Sequence, residues 1–216
     1  MRTSNTRYWI NLLRSVRRAI GLALGLAITL MLPTIVRPTA RAADSPSRLA
    51  FAAYRNGQWD LYSVDETGAD LRQLTDDVYE DRDPAYSPDG TKLAFASRRD
   101  RNWDLYVLDL AAGAQTRLTD HPAYDGAPAW SPDGGQIAFE SYRAGDLDVW
   151  VVNLASGALQ NLTADSPAGD FAPTWSPDGS RIAFTSWRAG NKDLFALGVK
   201  SGTLTRLTNS EAAEEW

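Results

Sequence analysis

Cysteine is absent from the 216 residues, histidine occurs once and methionine twice. Without thiols the chain has neither disulfide staples nor thiolate metal sites, so burial of apolar surface must hold the fold. Acidic residues are missing from the first 42 positions, which carry seven arginines. The rest of the chain therefore holds 15 of the 22 basic groups against all 27 acidic ones, a net charge of −12. An acidic body repels phosphate backbones, which argues against a nucleic-acid partner. No Gly-x-Ser-x-Gly elbow occurs, and His121 has no equivalent elsewhere, so a Ser-His-Asp triad is not expected. Beyond the leader, no stretch sustains a helical period.

The leader has the layout of an export signal. Arg2, Arg7, Arg14, Arg17 and Arg18 precede the uncharged run from Ala19 to Val36, and Ala40-Arg41-Ala42 has the small-x-small form of a cleavage site. At about 1.5 Å per residue that run spans roughly 27 Å, close to a bilayer core. Residues 1–42 thus read as a helical signal peptide or an N-terminal membrane anchor, with Pro33 favouring cleavage. The arginine excess keeps the N-terminus cytoplasmic and places the acidic body outside, periplasmic or secreted.

That body is a repeat. "RLAF", "KLAF", "QIAF" and "RIAF" end at Phe51, Phe95, Phe139 and Phe184, at intervals of 44, 44 and 45 residues. Two further phrases keep the same step: Asp60-Leu61, Asp104-Leu105, Asp148-Val149 and Asp193-Leu194, then Leu74-Thr75, Leu118-Thr119, Leu162-Thr163 and Leu207-Thr208. "SPDG" begins at Ser87, Ser131 and Ser176. Its proline suits the second position of a tight turn and its glycine tolerates positive φ, which predicts a hairpin. Gly- and Asn-rich phrases such as "YRNGQWD" and "ETGAD" predict two more hairpins per copy. The spacing predicts an all-β fold, a β-propeller of about four four-stranded antiparallel blades, open or incomplete.

In order and composition these phrases resemble the repeat of the TolB-like β-propeller family, a relative of the Trp-Asp propellers. The resemblance spans about residues 43–216, with copies at approximately 43–83, 84–127, 128–172 and 173–216. It concerns the propeller portion only; TolB proteins carry an additional N-terminal α/β domain, whereas here the leader runs straight into repeats. The resemblance implies a non-enzymatic, protein-binding or scaffold module outside the cytoplasm. Two alternatives stay open: the propeller part of a peptidase or polysaccharide-degrading enzyme whose catalytic domain lies elsewhere, and a carbohydrate-binding propeller. Three arrangements also stay open: a closed ring, an array completed by self-association through an open blade edge, and a piece of a longer propeller.

No catalytic, cofactor-binding or metal-binding residue is assigned, and no cofactor is expected. Asp81, Asp125, Asp170 and Glu215 occupy one repeat position. They would either ring a channel mouth and hold a cation or basic peptide, or tie neighbouring blades together; repetition favours the second. Arg55, Arg99, Arg143 and Arg188 recur as well and suggest bridges to carboxylates. Trp59 and Trp103 have no aromatic counterpart in the last two copies, where Leu147 and Lys192 stand. Aromatics that the fold does not demand are candidates for binding a protein or an envelope polymer.

Overall fold

Fifteen strands and no helix make up the residues described by the computed structural model, 48–209. The expected leader helix and Glu215 lie outside them. The first sheet holds β1 (Arg48–Arg55), β2 (Gln58–Asp65) and β3 (Arg72–Gln73); the second holds β4 (Glu80–Tyr86), β5 (Lys92–Arg99), β6 (Asn102–Asp109) and β7 (Gln115–Arg117). The third holds β8 (Asp125–Trp130), β9 (Gln136–Ser141), β10 (Asp148–Asn153) and β11 (Leu159–Asn161). The fourth holds β12 (Asp170–Trp175), β13 (Arg181–Ser186), β14 (Asp193–Gly198) and β15 (Leu204–Arg206). Every sheet is an antiparallel meander in chain order. Three have the four strands expected of a blade, and the first has three among the described residues.

The "SPDG" turns form as their composition requires. Gly90, Gly134 and Gly179 sit at φ of 70°, 71° and 69°. Asp89 accepts hydrogen bonds from the Ser87 hydroxyl (2.6 Å) and the Thr91 N–H (3.1 Å), which hold its carboxyl below the usual range. A Cβ at Gly90 would meet nothing within 4 Å, so a side chain is penalised there by backbone strain alone. Gly90→Val is expected to lower stability by about 1–2 kcal/mol or more, read as a drop in melting temperature. An unchanged melting point would refute the turn assignment.

Successive sheets pack face on face, and the same residues meet each time. Between the first and second, Leu61 with Ala50, Ala52 and Leu74 receives Leu93, Phe95 and Tyr106. Between the second and third, Ala94, Ala96 and Leu105 receive Ile137, Phe139 and Val152. Between the third and fourth, Ala138, Val149 and Val151 receive Ile182, Phe184 and Phe195. Each sheet thus has a leading face of large side chains turned toward the preceding sheet and a trailing face of smaller ones turned toward the next. A buried Leu or Phe contributes about 1.5–3 kcal/mol, which no isolated sheet would gain. Two recurring tryptophans packed on these junctions also bond across: Trp130 Nε1 donates to the Ala85 carbonyl (3.0 Å) and Trp175 Nε1 to that of Ala129 (3.2 Å).

The first strands of the last three sheets, β4, β8 and β12, each contain a bulge. Pairing slips between Arg82 and Ala85, Gly126 and Ala129, and Phe171 and Thr174. At its centre Asp83, Ala127 and Ala172 take φ of 53°, 47° and 52°, each directly before a proline. The antiparallel register sorts the loops to two ends. The hairpins at Asn56, Asp100, Ala144 and Gly190 share an upper end with the starts of β4, β8 and β12. The "SPDG" turns lie at the lower end.

Candidate functional site at the upper end

Two rows of buried carboxylates brace the upper end. Asp60 and Asp104 stand third in β2 and β6, Asp148 and Asp193 open β10 and β14, and all four are nearly or wholly buried. Asp104 pairs with Arg117 at 2.6 Å, Asp148 accepts from Asn161 at 2.8 Å, Asp193 pairs with Arg206, and Gln58 and Gln73 each donate to Asp60 at 3.2 Å. The threonine of each Leu-Thr phrase accepts from the adjoining backbone N–H, as Thr163 does from Val149 at 3.0 Å. A charged residue recurring inside an apolar strand was the signal for this network.

The second row is Asp81, Asp125 and Asp170, all 0% exposed. Each lies opposite a serine, Ser97, Ser141 or Ser186. Arg143 Nη2 reaches Asp125 at 2.6 Å and Arg188 Nη2 reaches Asp170 at 2.5 Å, while their Nε atoms donate to Ser141 and Ser186. These are the carboxylate bridges anticipated for the arginine row. Burial raises the Asp170 carboxyl, and the Ser186 hydroxyl and Arg188 draw it back only in part.

The second sheet breaks this pattern. Arg99 keeps its bond to Ser97 but turns its guanidinium to Asp77 (3.3 Å) and to Gln115, lying over Tyr79 and Tyr106 at 4.6 and 4.1 Å. Both carboxylate oxygens of Asp81 are left without a hydrogen-bond partner. The hydroxyls of Ser97 and Thr75 are near without meeting hydrogen-bond geometry, and burial outweighs them, raising the Asp81 carboxyl to about 6.

Beside it, Arg82 is held between the two unrepeated tryptophans. Its guanidinium carbon lies 4.8 Å from the Trp59 ring centre and 5.3 Å from that of Trp103. Its Nε is buried without a partner, and Nη2 stands 3.8 Å from Glu80. Trp59 and Trp103, taken separately in the sequence, thus belong to one platform; Arg82 was not foreseen, because the other copies have Gly126 and Phe171 in its place. Tyr54, Tyr79, Tyr142 and Trp187 are exposed at this same end. His121 is spent on its own loop, its Nδ1 accepting from the Ala123 N–H at 3.1 Å. Among the described residues no three His, Cys, Asp or Glu side chains are grouped to hold a metal ion.

Sequence comparison matches residues 100–215 to the TolB beta propeller domain. The chain belongs to this family. The TolB-type fold is similar to that of TolB from Agrobacterium tumefaciens, with TM-score 0.69 and 28% identity over 74% of this chain and 61% of that one. It is also similar to TolB from Acinetobacter baumannii, with TM-score 0.70 and 25% identity over 77% of this chain and 42% of that one. The chain therefore spans less than two thirds of either TolB. A puromycin hydrolase shares the propeller fold at 20% identity and TM-score 0.58, over 26% of its length. No curated protein matched.

Proposed function

We propose that this TolB-type propeller is a non-enzymatic, extracytoplasmic module that binds a protein segment at its upper end, around the first two sheets. One observation carries the reading: on the first two sheets exposed Tyr54 and Tyr79 stand at the end where Trp59 and Trp103 clasp Arg82, with Tyr142 and Trp187 exposed at the same end of the third and fourth sheets. Tyrosine, tryptophan and arginine are the side chains that dominate protein-binding energetics, because they bury large, stiff surfaces at small entropic cost. The basic leader and acidic body support a site outside the cytoplasmic membrane.

The test is an array of peptides tiled from envelope proteins, probed beside a glycan array with wild type, Trp103→Ala, Arg82→Ala and, as a lower-end control, Asp178→Ala. Wild type and the control are expected to retain a set of peptides that both upper-end variants lose. Undiminished peptide retention by Trp103→Ala and Arg82→Ala refutes the site. Retention of glycans instead of peptides replaces this reading with the carbohydrate one.

A further inference from the structure

The first and last sheets each display half of an interface that the chain completes three times internally. On the leading face of the first sheet, Leu49 and Phe51 are 66% and 37% exposed. Their counterparts Leu93 and Phe95, Ile137 and Phe139, and Ile182 and Phe184 are at most 1% exposed, each pair pressed on the trailing face of the preceding sheet. On the trailing face of the fourth sheet, Leu194 is only partly buried and Leu207 is 52% exposed. The matching Leu61, Leu105 and Val149 are fully buried beneath the next sheet, and Leu74, Leu118 and Leu162 pack against it. Extensive packing joins neighbouring sheets only.

We infer that these two faces bind each other between copies, the leading face of one chain seating on the trailing face of a second, head to tail. The occupant is specified by composition: a face led by Leu49 and Phe51 is of the type received at every internal junction by a trailing face of alanine, then leucine or valine, then leucine, and Ala183, Leu194 and Leu207 supply such a trailing face. Two features depart from the internal junctions: Glu66 stands where Leu110, Leu154 and Val199 pack in the other sheets, and the described first sheet has no strand matching those that carry Tyr86, Trp130 and Trp175. A heterologous contact must close into a ring or grow without limit. Two copies bring together eight sheets, within the usual span of about four to eight blades in a propeller.

Sedimentation velocity of the full chain at tens of micromolar, and again about a hundredfold more dilute, tests the inference. The expected result is a dimer that dissociates on dilution, with association at least about tenfold weaker in Phe51→Glu and an unaltered β circular dichroism spectrum. Because the chain has no cysteine, Phe51→Cys and Leu194→Cys can be made singly, mixed and oxidised; a covalent heterodimer is expected only if the two faces meet between copies. A wild-type monomer at every concentration overturns the inference. So does a dimer that Phe51→Glu leaves intact, or mixed cysteine variants that yield no heterodimer.

Discussion

Asp125→Ala is expected to lower stability by about 3–5 kcal/mol, the largest effect of any single substitution considered. The Arg143 side chain is 8% exposed and that of Asp125 not at all, so the variant leaves a guanidinium charge buried with no countercharge. Arg143 cannot swing out to water without abandoning Ser141 and its place over Phe139 and Trp150, at 5.2 and 5.0 Å. Urea unfolding should show a lower midpoint with an unchanged slope. Combining Asp125→Ala with Arg143→Met should recover much of the loss, since the penalty lies in the unpaired charge rather than in the missing attraction. A loss below about 1 kcal/mol would mean that the pair is solvated, and the bracing role would fall.

The repeat was legible because each phrase is dictated locally. "SPDG" specifies its turn through proline, aspartate and glycine, and Leu-Thr marks the strand end where Thr163 and its counterparts cap a backbone N–H. The apolar phrases that set the repeat also supply the buried Phe95, Phe139 and Phe184, whereas Phe51 in the same phrase is 37% exposed because no sheet covers it among the described residues. Sequence could not disclose the bulges. A residue before proline ordinarily takes extended φ, yet Asp83, Ala127 and Ala172 are at positive φ because the strand must re-aim there to keep pairing on both sides of the slip. Nor could it tell that Arg99 would forsake Asp81, because Arg99 repeats faithfully and only the neighbouring Asp77 and Gln115 draw it away. The Trp59–Arg82–Trp103 platform was half legible: both tryptophans stood out by not repeating, but they meet at Arg82 on β4, in the sheet of Trp103 and next to that of Trp59, 23 residues from Trp59 and 21 from Trp103 in sequence.

Asp81→Asn is expected to act in the opposite direction from Asp125→Ala, stabilising the protein at pH 7 by about 1–3 kcal/mol. Burial without partners raises the Asp81 carboxyl from 3.8 to about 6, so the folded state holds its proton more tightly than the unfolded state does. Stability from this group is therefore greatest at low pH. It falls as pH climbs from about 4 to about 6 and stays reduced above that; the full span corresponds to about 3 kcal/mol. A carboxamide of the same shape never ionises, which removes the loss, although its own polar atoms recover only part of the gain if they stay unbonded. Subtracting wild-type from variant stability across pH 3.5–7.5 isolates this position from Asp170, whose raised carboxyl is common to both proteins. The difference should grow between about pH 4 and 6 and then level off. A flat difference, or a variant less stable at pH 7, would show that Asp81 is paired as Asp125 is, and that all the described upper-end carboxylates of this row are braced alike.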